Sequence, residues 1–377
     1  MGIAVFCRAA MSNTSLKIIL FILFLAPLAP ADNLNCQSEK PIRYRAITVR
    51  GENDSFAKTD RNYTHGIIVT AESHRIVEPE SECFPWPIRW EARLFDALTP
   101  DSMMQENPDD EKSIVFKFGQ SIYTPKNYWE HEVIQDDRPY AGLLQAGSSL
   151  HRRSRESETL ESLEAKEVSV GVIGPLSFAE EFQQGVHSIF GDVQFEGWDN
   201  QLKNEPAFQI AYDKKYKDYQ GKGRVQPGFA ADWIRSYGIR AGNIETSANF
   251  SLEGRIGFDI PNDFGSFTIR PGTDSRPPDV ASNSLENSPA KFGYHAFTIL
   301  DVKYVAYNFS VDGNLFHHSH HVTRQPWVTF GAIGLSLPTV INHYGYNLAI
   351  MQVYQTSDFK EQNAHHAYQM LALSIDL

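Results

Sequence analysis

The sequence predicts an all-β protein, a transmembrane antiparallel β-barrel of about twelve strands with a short helix in one extracellular loop. Three observations carry this. From Tyr44 onward about a dozen short strand-like segments are separated by loops rich in Gly, Pro, Asp and Asn, and past Ala31 no apolar run is long enough to form a transmembrane helix. At the other end Leu371, Leu373, Ile375 and Leu377 alternate with Ala372, Ser374 and Asp376, so a strand runs to the last residue. Aromatic residues are plentiful, with six Trp and sixteen Tyr, as interfacial girdles require. A soluble, exported β-sandwich would alternate too, and the terminal residue is Leu where outer-membrane barrels commonly end in Phe.

Residues Met11 to Ala31 carry Lys17, an apolar core from Ile18 to Leu25, and Ala29-Pro30-Ala31. That order fits a secretory signal cleaved after Ala31, with Met11 as initiator and residues 32–377 as one barrel domain. A retained anchor fits less well, because the apolar run is short for about 30 Å of hydrocarbon. Cys7 precedes the signal core, which leaves Cys36 and Cys83 as the mature pair open to a disulfide. The formal net charge of −12 argues against nucleic acid as a partner.

Along the chain, Val168, Val170 and Val172 alternate with Glu167, Ser169 and Gly171. Phe250, Leu252, Ile256, Phe258 and Ile260 alternate with Ser251, Glu253, Arg255, Gly257 and Asp259. Hydrophilic stretches at Glu78 to Lys112 and Asn262 to Lys291 read as surface loops on one rim of a barrel. The run His317-His318-Ser319-His320-His321 resembles a metal tract, but adjacent histidines have no fixed ligand geometry and a solvated loop tip accounts for them.

One segment breaks the strand texture. Phe182, Val186, Ile189 and Phe190 recur at helical spacing, while Gln183 and His187 stand four apart on a neighbouring face. The helix thus presents a polar pair beside an apolar stripe, and His187 is the candidate base; the plainer reading is a histidine that only packs. Near the start, Glu52-Asn53-Asp54-Ser55 and Thr59 to Gly66 bracket one turn with oxygen ligands of the kind hard cations take, although an Asn/Asp-rich hairpin turn would look alike. Lys126 and Arg138, in Gly119 to Lys126 and Asp136 to Gly142, are suited to a phosphate, while each alone reads as a solvated charge.

Taken together, Asn53-Asp54, Thr59 to Gly66, Asp137-Arg138-Pro139-Tyr140-Ala141-Gly142, Gly174-Pro175, Gln183 to His187, Gly197-Trp198 through Gln201, and Thr356 to Phe359 resemble the lipid A 3'-O-deacylase family of Gram-negative outer membranes, LpxR. The resemblance spans nearly the whole mature chain. It implies a twelve-stranded, calcium-dependent (Ca2+) barrel, a monomer acting on lipid A of lipopolysaccharide, with its site between the outer wall and a loop helix. It assigns His187 as base with Gln183 beside it, Asn53, Asp54 and Thr64 around the metal and reacting carbonyl, and Lys126 near a substrate phosphate. A carboxylate is expected shortly after the histidine; Val193 stands at that position, with Asp192 and Glu196 close by. Ester hydrolysis by histidine-activated water follows. The alternatives are an outer-membrane phospholipase using Ser319 beside His318, and a porin-like barrel whose polar motifs only fix turns.

Overall fold

The computed structural model describes residues 44–54, 62–76, 79–81, 83–98, 109–190, 193–219, 228–265, 292–341, 344–362 and 365–377. The signal segment, Cys36, Asp192 and the part of the oxygen-rich turn from Ser55 to Arg61 lie outside them. Cys83 is disulfide-bonded.

Twelve antiparallel strands close a barrel in which each strand pairs with its neighbours in sequence and β1 closes on β12. The first six are β1 (Tyr44–Asn53), β2 (Asn62–Ser73), β3 (Glu111–Thr124), β4 (Ala141–Arg155), β5 (Leu160–Ile173) and β6 (Glu205–Tyr219). The second six are β7 (Phe229–Gly242), β8 (Glu245–Phe258), β9 (Tyr294–Asn308), β10 (Trp327–Ile341), β11 (Tyr344–Gln355) and β12 (His366–Asp376). This up-and-down order puts the end of β2, the start of β3, the end of β8 and the start of β9 at the rim where β1 begins and β12 ends. The β1–β2, β3–β4, β5–β6, β7–β8, β9–β10 and β11–β12 connections share the other.

Burial settles which side of the sheet meets lipid. Phe250 is 54 % exposed on the outside of β8, while Arg255 is 2 % exposed inside. Leu300, Ile333, Ile350 and Leu371 also face outward, and Lys117, Gln145, Asn249 and Asn347 face the lumen. A soluble sandwich would bury its apolar face; this barrel shows it, which fits a hydrocarbon solvent and rules against the soluble reading. Aromatic rings mark both edges of the band. Phe229, Phe258 and Tyr294 succeed one another at 5.8 and 5.7 Å near one rim, and Tyr304 meets Trp327 at 5.2 Å near the other. From Tyr294 to Tyr304 the strand climbs about 33 Å, which at a tilt of about 40° spans about 25 Å of hydrocarbon.

The lumen is filled with paired charge. Arg240 meets Asp213 at 2.9 Å, Lys303 meets Glu245 at 2.7 Å, and Lys117 pairs with Glu167. Arg255 holds Asp232 through two bonds of 2.7 and 2.5 Å and also pairs with Asp263. Removing one member of such a group strands its partners away from water. Arg255→Leu is therefore expected to destabilise the barrel by about 3–5 kcal/mol, read as a lower midpoint for heat or urea unfolding. An unchanged midpoint would show that solvent already screens these groups.

The β2–β3 connection contains an element that the hydrophilic reading of Glu78 to Lys112 missed, a helix at Trp86–Leu98. It buries Ile88, Ala92 and Phe95, at i, i+4 and i+7.

Candidate active site

The barrel wall supplies one side of the site through a β-bulge. In β2, Tyr63 faces Tyr123 and His65 faces Ile122, so Thr64 is the extra residue. A bulge re-aims the side chains beside it. Tyr63 turns into the lumen, donates its hydroxyl to Glu52, and packs on Tyr123 and Tyr368 at 5.3 Å each. Thr64 and His65 lie toward the loop helix. Thr64 Oγ1 is 2.6 Å from Thr124 Oγ1, and the His65 ring lies 5.1 Å from that of Phe182. Asn53 is directly across the β1–β2 ladder from His65, and Asp54, next along, is fully buried.

The other side is the loop helix Ala179–Phe190, which lies between β5 and β6 as its spacing predicts. A 3-10 turn at Pro175–Ser177 leads into it, and Phe178 takes a left-handed conformation (φ 57°) to reverse the chain. The helix start sits close against β4, where a Cβ at Gly142 would come within 2.1 Å of Ser177 Oγ and 2.4 Å of Ala179 Cβ. Only glycine leaves that room. Gln120 Nε2 donates to the Ser177 carbonyl at 2.6 Å, which ties the turn to the wall. Beneath the helix Ile122, Tyr140, Ala179, Phe195 and Trp198 form a buried cluster on which Phe182 and Tyr128 pack. Gly197 permits that packing, because a Cβ there would stand 2.5 Å from the Tyr140 ring. Glu180 and Glu181 occupy the first turn, favourable at the positive end of the helix dipole. Partial burial, and then the nearby Glu181 and Asp199 carboxylates, push the Glu180 carboxyl up.

The helix does not bury its whole apolar stripe. Ile189 is 80 % exposed, whereas Gln183 and His187 are 3 % and 7 % exposed. His187 Nδ1 lies 2.6 Å from the Val193 carbonyl. A carbonyl only accepts, so Nδ1 carries the proton and the neutral ring keeps its lone pair on Nε2, the tautomer a base requires. Phe195 packs edge-on to the imidazole at 5.3 Å. Gln183 Oε1 accepts from Trp198 Nε1 at 3.0 Å. His65 is close enough to His187 for their charges to interact. Thus the bulged end of β2 meets, through His65, the helix that carries Gln183 and His187, with Thr64 next to His65 in the chain and Asn53 across the ladder from it.

Other expectations fare differently. Lys126 is exposed, and its backbone N–H donates to Asp137 Oδ2 at 2.7 Å. Arg138 is buried, pairs with Asp358 at 2.6 Å, and lies over the rings of Tyr123 and Phe359 at 5.7 and 5.4 Å. The Asp137 to Gly142 and Thr356 to Phe359 motifs are joined by that ion pair. Glu196 pairs with His131 at 2.6 Å in an exposed position. Ser319 Oγ accepts from Asn314 N at 2.8 Å and holds a turn. Among the described residues no group of three or more His, Cys, Asp or Glu side chains gathers to hold a metal, and residues 317–321 lie outside any strand or helix. Sequence reasoning gave no role to His65 or to the Val193 carbonyl. Both depend on local backbone geometry, a bulge and a helix exit, that residue spacing does not encode.

Fold and site together define an outer-membrane β-barrel, a multi-pass protein with a polar, histidine-bearing seam on its outer wall. A family model described as "Outer membrane protein LpxR" matches residues 17–377, and the chain belongs to that family. Among solved structures it is similar to LpxR from Salmonella typhimurium, at 16 % identity and a TM-score of 0.61, covering 88 % of this chain and all (100 %) of that one. The NanC porin matches at 8 % identity and a TM-score of 0.37, covering 88 % of this chain and 100 % of that one. The translocator domain of the autotransporter NalP from Neisseria meningitidis matches at 9 % and 0.35, covering 99 % and 98 %. A comparison with curated protein sequences found no match.

Proposed function

We propose that this protein is a lipid A 3'-O-deacylase, an outer-membrane esterase that removes the 3'-linked acyl group with water activated by His187. Family membership supports action on lipid A at the outer membrane. The observation that carries the chemistry is a helix that buries its polar pair against a lipid-facing wall while showing Ile189 outward. Such a seam admits an ester from the side, with its acyl chain still in the bilayer.

With Nδ1 donating to Val193, His187 Nε2 takes a proton from water as the oxygen attacks the ester carbonyl. Buried donors along the seam stabilise the oxyanion. Its collapse expels the sugar hydroxyl, which takes the proton back from His187. No serine nucleophile is needed, and Ser319 is already engaged in its turn. The porin reading leaves the seam without a purpose and sets a channel where the lumen is packed with ion pairs.

The donors near the seam are oxygens, as a hard cation prefers: the Asp54 carboxylate, the Asn53 carboxamide and the Thr64 hydroxyl would hold calcium. When bound, calcium supplies Lewis-acid polarisation of the ester carbonyl. One carboxylate in the set favours weak affinity, with a Kd on the order of 10⁻⁴ to 10⁻³ M. Lys126, exposed on the same rim, is the proposed contact for a lipid A phosphate.

Purified barrel in lipid A–detergent micelles with millimolar calcium should release free fatty acid; no release would overturn this reading. Residue 193 provides a further check. Its carbonyl, not its side chain, orients His187, so Val193→Ala should keep hydrolysis within about threefold of the parent. A loss of 10²-fold or more would show that the side chain matters.

A further inference from the structure

Trp198 begins the 3-10 turn Trp198–Asn200, is fully buried, and takes no part in the hydrolysis as outlined. Its indole N–H can only donate, and it donates to Gln183 Oε1. That bond fixes the sense of the carboxamide, with oxygen toward the indole and the NH2 group away from it. Gln183 Nε2 is buried and has no hydrogen-bond partner among the described residues, and on the facing wall His65 Nε2 is in the same condition. Two buried nitrogens, one from the helix that carries His187 and one from β2, therefore have no hydrogen-bond partner among the described residues. Trp198 itself is held fast, packed on Tyr140 at 4.9 Å within the cluster beneath the helix.

We propose that Trp198 is a positioning residue: it locks the Gln183 carboxamide so that its NH2 group donates to the carbonyl oxygen of the ester as negative charge develops there. The inference rests on the deacylase reading and adds to it the group that orients the donor. Without the indole the carboxamide is free to turn over, and its oxygen would then face the oxyanion and repel it.

The test is a double-mutant cycle on the purified barrel, with lipid A–detergent micelles and calcium as the assay. Trp198→Phe keeps an aromatic ring and deletes the N–H; kcat should fall about 10- to 100-fold with KM within about twofold. Gln183→Ala should fall at least as far, and the double variant should be no worse than Gln183→Ala alone, because the indole acts through the amide. A kcat for Trp198→Phe within twofold of wild type, or losses that multiply in the double variant, would overturn the proposal. Gln183→Glu decides the matter if Trp198→Phe does not fold. It keeps an acceptor for the indole but has no NH2, so it should lose as much as Gln183→Ala, and retained kcat would overturn the proposal. Active wild type with multiplying losses sinks this inference alone, whereas inactive wild type sinks the deacylase reading and this inference with it.

Discussion

His187→Gln is expected to lower ester hydrolysis by about 10²- to 10⁴-fold while the barrel still folds and still binds lipid, the usual contribution of a positioned acid-base group. Glutamine keeps much of the size and polarity of histidine, and its NH2 can still donate toward the Val193 carbonyl that now fixes Nδ1. It cannot take up a proton near neutral pH. A residue that only packs against Phe195 would tolerate this change; a base would not. Ser319→Ala is the matched control and should stay active, since that hydroxyl accepts from Asn314 N in a turn. An active His187→Gln with an inactive Ser319→Ala would move the chemistry to the β9–β10 loop.

Asp54→Ala is expected to cost on the order of 10²-fold or more, and excess chelator should do the same to the unaltered protein. Asp54 is fully buried and is the one carboxylate in the proposed oxygen set. Losing it removes the full negative charge of that set. Binding is separable from turnover here: millimolar calcium should raise the unfolding midpoint of the parent and leave that of Asp54→Ala unmoved, because a ligand stabilises only the fold that binds it. Full turnover in excess chelator would take the metal out of the mechanism.

Much of this architecture is legible in the chain because a barrel wall writes one rule, apolar outward and polar inward, at every second residue. The Phe250 to Phe258 and Leu371 to Leu377 alternations became outward faces as read. Alternation is blind to which side meets lipid, so burial had to decide between barrel and sandwich. The helix at Ala179–Phe190 was visible in its spacing, but spacing does not say which face turns inward, and the fold leaves Ile189 of the apolar stripe exposed while burying Gln183 and His187. Which helix face turns inward is set by Gly142 and Ser177, where the chain is clamped to β4. The ion pair of Arg138 was not legible for a related reason: its partner, Asp358, lies 220 residues away in sequence. The helix at Trp86–Leu98 was legible at i, i+4 and i+7, but its charged surroundings masked the pattern.

The most direct test is mass spectrometry of lipid A from outer membranes of cells with the protein, without it, and with His187→Gln. Loss of the single 3'-linked acyl group in the first sample alone is the predicted result. Lipid A of unchanged mass in all three, or a chain lost from another position, would contradict it.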